Sequence, residues 1–109
     1  METTQHGRDQ EIAQIIAAQM GGLKRLLVFT GAHSFTTIPN GLAFRIPGKG
    51  LAKDSINLIR VELTPMDDYV MTFSRVRGGT VKEVARHEGV YCDMLVDLFE
   101  STTGLYLSF

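Results

Sequence analysis

The most suggestive grouping of reactive residue types in the sequence is His87 with Glu88, followed shortly by Cys92. A zinc-protease helix requires a second histidine four residues after the first, and position 91 is tyrosine. His33 would add a third ligand only from a distant element, whereas metal-binding pairs usually lie close together in sequence. We therefore predict no metal site, with Glu88 near the positive end of a helix and Cys92 as a small core residue.

Catalysis by Cys92 would need a basic neighbour, and His87 is the only candidate, with no third residue to orient it. Ser34 lacks the glycine elbow that exposes a catalytic serine. Asp67 and Asp68 are the one close pair of acids, and they are better explained as turn residues. We predict that the protein is not an enzyme and keep a small enzyme or metal protein around His87 and Cys92 as a third alternative.

The loop that contains Gly48, Lys49 and Gly50 resembles a phosphate-binding loop only superficially. A Walker loop requires a glycine five residues before Gly48, where the sequence has Ala43, and Ser or Thr after the lysine, where it has Gly50. No helix follows to offer its N-terminus to a phosphate. The loop therefore predicts no nucleotide cofactor, and Lys49 is expected on a mobile basic segment.

Charged residues are segregated along the chain more than the net charge suggests. The strands carry the candidate basic binding residues Arg45, Arg60, Arg75 and Arg77, together with Lys82 and Arg86. The closing helix carries the candidate acidic binding residues Asp93, Asp97 and Glu100. This pattern favours either a positive sheet face opposite a negative helix face or an ordinary solvated face on which Glu62 and Glu83 neutralise the arginines. Aromatic side chains on this face would favour the binding of single strands by base stacking, but the strand aromatics are expected to point inward: Phe44, Tyr69 and Phe73.

Composition limits the kinds of protein that the chain can be. It has 109 residues, 44% of them hydrophobic, a formal net charge of -1 and a single cysteine. These values indicate one globular domain without an internal disulfide, in a reducing compartment. No apolar run approaches the ~18 residues of a membrane helix, and the first residues have no signal-peptide centre. We predict a cytoplasmic protein that makes no membrane contact.

Residues 1–8 are expected to form a flexible tail, and residues 9–109 a single α+β domain. A helix over residues 9–20 begins at Asp9 as its cap and ends at Gly21 and Gly22. The apolar run over residues 23–30 suggests a buried strand, whereas residues 32–40 show no clean period.

Alternation of apolar residues predicts strands over residues 42–46, 56–63, 69–76 and 80–86, with turns at 64–68 and 77–79. Arg75 lies two residues after Phe73 and would face inward with it, so a bulge or the strand end must carry Arg75 into water. A second helix starts near Gly89 and leads to an apolar tail from Leu105 that should dock on the body.

The expected fold is a two-layer α+β sandwich, in which an antiparallel sheet of four to five strands is flanked by an N-terminal and a C-terminal helix. The sequence predicts a core that includes Phe44, Ile59, Val61, Phe73, Leu95 and Leu98.

Three strings of residues are distinctive enough to compare with known families: VFTGA at 28–32, LTPMDDY at 63–69, and HEGVYCDML at 87–95, which continues to TGLY at 103–106. Together they resemble a family of small proteins encoded by bacteriophages and other mobile elements. Its members show a short helix ending in Gly-Gly, TGA after an apolar strand, and GVY-D-L leading to TGLY. The resemblance spans residues 12–109 and implies an origin on a mobile element, without a catalytic motif to carry over.

The same strings also have a structural interpretation. Gly31 and Gly89 suit chain reversals that need a positive φ. Tyr91, Leu105 and Tyr106 could clamp the C-terminal tail against the sheet.

The function expected from the sequence is that of a non-catalytic phage or mobile-element protein that inhibits a host macromolecule by protein–protein interaction. Its partner is expected to be a host protein or ribonucleoprotein complex, and evasion of host defence in the manner of an anti-CRISPR protein fits the resemblance. Such inhibition needs only a complementary surface of ~800 Å². The alternative is a nucleic-acid-binding accessory protein that uses the arginine-bearing sheet face, and a homodimer is compatible with either function.

Overall fold

The computed structural model of the chain describes residues 4–47 and 51–107. It contains three α-helices and five β-strands: α1 (Thr4–Gln19), α2 (Leu23–Thr30), β1 (His33–Ile38), β2 (Gly41–Arg45), β3 (Leu58–Leu63), β4 (Tyr69–Arg77), β5 (Thr80–Val90) and α3 (Leu95–Thr103). Short 3-10 turns occur at Lys53–Ser55 and Cys92–Met94. The strands form one antiparallel sheet in the order β1-β2-β3-β4-β5, which confirms the predicted α+β class.

Strand register divides the sheet into two faces. On the inner face, Phe44 lies opposite Ile59, which lies opposite Phe73 in β4. All three side chains are fully buried, because α1 packs over β1 and β2 and α3 places Phe99 with its ring centroid 6.2 Å from that of Phe44. The outer face consists of the alternate residues. The predicted core is confirmed at Phe44, Ile59, Val61, Phe73 and Leu95, whereas Leu98 is only half-buried.

The first helix begins earlier than the sequence indicated. Residues 4–8 belong to α1 rather than to a flexible tail, and residues 1–3 lie outside the described residues. Asp9 is therefore not the helix cap. It is buried, and its Oδ1 accepts a hydrogen bond of 2.8 Å from the backbone N–H of Asn40, which ties α1 to the turn between β1 and β2.

The segment predicted as a buried strand over residues 23–30 is the helix α2. Only Leu26 and Thr30 are buried, which is the four-residue spacing of a helix with one inward stripe. Gly31 ends the helix with φ 74°, and its N–H bonds the carbonyls of the last turn. The prediction failed because a run of apolar residues does not by itself separate a strand from a helix, and here Leu27 and Val28 face solvent.

The strand β1 was missed in the sequence because its alternation is broken. Ser34 has φ 57°, and the register shifts between the pair His33–Arg45 and the pair Thr36–Ala43. An extra residue in one strand rotates the following side chains, so that a period of two is lost.

The C-terminal helix begins later than predicted. The strand β5 runs to Val90 and includes Gly89 with φ 65°, and α3 starts only at Leu95. Between them Cys92 lies exposed in a 3-10 turn, so its prediction as a core residue is wrong. Of the predicted clamp, Tyr91 and Tyr106 are exposed and do not hold the tail, whereas Leu105 is half-buried and packs against the core. The tail docks through the buried Leu107.

Candidate functional site

The outer face of β3, β4 and β5 forms an open depression of about 320 Å³. Its lining consists of strand residues alone: Leu58, Arg60, Glu62, Thr72, Ser74, Val81, Glu83 and Arg86. The register explains this set, because Arg60 lies opposite Thr72 and Thr72 lies opposite Arg86 across neighbouring strands. Thr72 and Ser74 form the floor, since both are more than nine-tenths buried although they face away from the helices.

Acidic side chains balance the arginines of this face. Arg60 Nη2 lies 3.8 Å from Glu62 Oε2, and Arg86 Nε donates a hydrogen bond of 2.8 Å to Glu88 Oε2. The bond to Glu88 raises the pKa of Arg86 above its ordinary value. Both pairs are solvent-exposed and therefore weak. Of the two neutralising residues expected, Glu62 pairs with an arginine and Glu83 lines the depression beside Arg86.

Arg45 lies on the same outer face, opposite His33 in β1 and Leu58 in β3. Its side chain is half-buried, and its Nε is buried without a hydrogen-bond partner among the described residues. The outer face thus carries as many arginines (Arg45, Arg60 and Arg86) as glutamates (Glu62, Glu83 and Glu88).

The other predicted basic residues lie elsewhere, on a hairpin that extends past the end of β3. The last pair between β3 and β4 is Leu58 with Ser74, whereas β4 and β5 continue to pair as far as Arg77 with Thr80. We call residues 75–82 the arm. Its turn is Gly78-Gly79, and both glycines have the positive φ that a tight two-residue hairpin requires.

The arm separates its charged side chains from its apolar ones. Arg75 lies directly opposite Lys82, and Arg77 opposite Thr80, so all four side chains share one face of the two-stranded ribbon. Val76 and Val81 form the other pair and face the outer side. Of the two routes to water predicted for Arg75, a bulge or a strand end, the structure shows that β3 ends before it is reached. Arg75 is half-buried and lines an open depression with Lys82 and Asp54.

Asn57 holds the base of the arm. Its side-chain Nδ2 donates a hydrogen bond of 3.0 Å to the carbonyl of Val76, and its Oδ1 accepts one of 2.7 Å from the N–H of Val76. The side-chain amide of Asn57 thereby makes the two hydrogen bonds to β4 that the backbone of one more β3 residue would have made. One buried side chain thus ties the arm to the segment that precedes β3.

The reactive residues are dispersed. His87 Nε2 lies 3.1 Å from Thr102 Oγ1, and its ring meets Phe73 edge to face, which places it between the sheet and α3. His33 bonds its neighbour Ser34, and Cys92 is exposed. In the described ranges 4–47 and 51–107, no three His, Cys, Asp or Glu side chains are arranged to hold a metal ion.

The predicted acidic face is smaller than expected. Asp93 and Asp97 are exposed, but Glu100 is half-buried and its Oε2 accepts a hydrogen bond of 2.9 Å from the N–H of Leu107. Glu100 therefore fastens the tail rather than extending a charged surface. Lys49, the remaining candidate, lies outside the described residues.

Comparisons of the chain with protein-family models, with curated proteins and with solved structures gave no match. Within the described residues, no single helix has the length and apolar character of a membrane span, and Gly7–Gln19 and Leu23–Thr30 have them only as a pair bent by 54°.

Proposed function

We propose that the protein is a small, non-catalytic interaction protein of a phage or mobile element that binds a host protein or ribonucleoprotein complex through the outer face of its sheet. Its sequence strings support the origin, and a component of bacterial defence in the host cytoplasm is the target that this origin suggests. The observation that carries the proposed mode of action is the outer-face depression, whose lining belongs to strands alone.

The chemistry of the outer face suits a protein partner. Arginines and glutamates are equal in number there, so the face lacks the excess positive charge with which proteins hold phosphates. Apolar side chains lie among the charges, with Leu58 half-buried and Val81 exposed. Protein interfaces combine such apolar contacts with arginine and a polar rim.

The size of the face is close to that of one side of a specific interface. Five strands about 4.8 Å apart span about 24 Å. The strands contain 6, 5, 6, 9 and 11 residues, so at about 3.3 Å per residue they average about 24 Å in length. The resulting area of roughly 600 Å² is about three-quarters of the ~800 Å² that one partner contributes to a standard interface.

Affinity capture from a DNase-treated lysate of the host bacterium tests this proposal. The wild-type protein and Arg8→Glu, which reverses an exposed charge on α1, should each retain the same stoichiometric host protein. Arg60→Glu should reduce its binding at least tenfold, because it places a second carboxylate beside Glu62 in the middle of the face. The purified partner should then show the same ranking by calorimetry.

Two results would count against the proposal. One is a partner that binds Arg60→Glu as tightly as the wild-type protein, which would place the interface elsewhere. The other is the absence of any stoichiometric protein from the wild-type capture. Thermal unfolding of both variants, followed by circular dichroism, separates loss of binding from loss of folding.

A further inference from the structure

The cations of the arm are arranged in a way that folding alone does not favour. Arg75 and Lys82 are directly opposite each other, and like charges in that position destabilise an antiparallel pair. Arg77 lies two residues from Arg75 on the same face and adds a third positive charge. No ion pair between described residues involves any of the three.

The surroundings of the arm reduce this repulsion only at its base. Asp54 and Glu83 line the same depression as Arg75 and Lys82, whereas the tip, from Arg77 to Thr80, contains no acidic residue. Arg77 and Thr80 are exposed, as are the two glycines of the turn. The positive face of the arm is therefore open to an anionic ligand in the half nearest the tip.

We propose that this face of the arm binds the phosphate backbone of double-stranded DNA. The three side chains project from one side of a ribbon whose end is free of other elements, so they can approach a polyanion together. This binding is separate from the proposed protein interface, because Arg75, Arg77 and Lys82 face away from the outer side on which Val76 and Val81 lie.

The shape and composition of the arm favour duplex DNA over other nucleic acids. The major groove of B-form DNA, ~12 Å wide, admits a two-stranded β-ribbon, whereas the major groove of duplex RNA is deep and narrow. A single-stranded ligand would be expected to stack its bases on aromatic side chains, and residues 75–82 contain none. Thr80 adds a hydroxyl that can donate to a phosphate oxygen.

The number of cations sets the expected salt dependence. Three phosphate contacts give a slope of about -2.7 for the logarithm of the binding constant against the logarithm of salt concentration. Affinity should therefore fall about 40-fold between 50 and 200 mM salt. Binding that consists of phosphate contacts alone is independent of base sequence.

Fluorescence anisotropy with the purified full chain and a labelled DNA duplex of about 20 base pairs, titrated across that salt range, tests the proposal. Arg75→Gln with Arg77→Gln should lower the slope by about two units, and Arg75→Lys with Arg77→Lys should preserve it. Arg8→Gln with Lys24→Gln is the matched control, because it removes two exposed charges from α1 and α2. Its slope should equal that of the wild-type protein.

A wild-type slope near zero would overturn the proposal, and so would an equal loss of slope in the Arg8 and Lys24 control. Equal or tighter binding of an RNA duplex or a single strand of the same sequence would overturn the assignment to duplex DNA. Arg60→Glu should bind the DNA with an unchanged slope, since Arg60 lies on the outer face. Protein capture and DNA binding can thus fail independently.

Discussion

Asn57 provides the sharpest test of how the arm is held. Its side chain satisfies both the N–H and the carbonyl of Val76, and Asn57 itself is buried, whereas Val76 is half-buried. Asn57→Ala removes both hydrogen bonds, each contributing about 0.5–1.5 kcal/mol, and water replaces them only in part. We expect the free energy of unfolding to fall by about 2 kcal/mol. Gln14→Ala, which truncates an exposed amide on α1, should change it by less than about 0.5 kcal/mol.

Asn57→Asp separates the two bonds without changing the shape of the side chain. The ionised carboxylate still accepts from the N–H of Val76, but its second oxygen lies against the carbonyl of Val76. Burial and this repulsion raise the pKa of the introduced carboxyl in the folded protein above its unfolded value of about 3.9. The loss of stability is therefore full above the folded pKa and disappears as the pH falls toward the unfolded value, where the acid can donate to the carbonyl.

Urea unfolding followed by circular dichroism, at about pH 7 and about pH 4.5, measures both variants. The gap in unfolding free energy between Asn57→Asp and the wild-type protein should be smaller at the lower pH. A gap that widens at low pH, or Asn57→Ala with the stability of the wild-type protein, would refute the argument that this amide replaces a missing strand residue.

Four other substitutions test the core and the exposed thiol by the same unfolding assay. Phe99→Ala should cost about 3–5 kcal/mol because its ring is fully buried, whereas Leu98→Ala, at a half-buried position, should cost less than about 2 kcal/mol; equal losses would contradict the packing of α3. Burial raises the pKa of Tyr69, although its hydroxyl bonds Gln19, so stability should decline as the pH rises above the unfolded value of about 10, and Tyr69→Phe should lack that part of the decline. Cys92→Ala should keep both proposed binding activities and most of the stability, and a thiol reagent should label Cys92 in the folded protein.

The central sheet could be predicted because its strands obey simple rules. In β3 and β4, alternate residues are apolar, and the inward set meets across the strands as Val61 opposite Met71 and Ile59 opposite Phe73. The turn between them has the residues that a longer hairpin loop requires, and Asp67 takes the positive φ there. Local pattern and tertiary packing agree in this region, so the sequence alone is sufficient to predict these strands and their pairing.

Prediction failed where tertiary contacts override local pattern. Residues 23–30 are apolar enough for a buried strand, but glycines at both ends and a single inward stripe at Leu26 and Thr30 make them a short surface helix. Cys92 is apolar in character, yet it follows the end of a strand that is longer than predicted and therefore lies in an exposed turn. In both cases, whether a residue is buried depends on where the neighbouring helix or strand ends. That end point cannot be read from the residues of the segment itself.

The sequence predicted which charged residues belong to the candidate site, but not how they are arranged on the sheet. The sequence placed Arg45, Arg60, Arg75 and Arg77 together as one arginine-bearing face, and strand register divides them between opposite sides of the sheet. This division follows from parity, because Arg75 shares the parity of Phe73 whereas Arg60 alternates with Ile59 and Val61. The sequence shows which residues alternate between the two sides of a strand, but it does not show where β3 stops pairing with β4.

The end of β3 therefore gives the two faces of the hairpin different roles. Had β3 continued past Leu58 toward the arm, Arg75 would have extended the inner face, where burying a cation without a partner costs several kcal/mol. Because Asn57 pairs with Val76 by its side chain, the chain can turn away there and leave Arg75 and Lys82 near water. Alternation along β4, from the outward Ser74 to Val76, keeps Val76 and Val81 continuous with the outer face. A strand that ends early, with one side-chain amide in place of its next residue, thus allows one hairpin to present a cationic surface on one side and an apolar surface on the other.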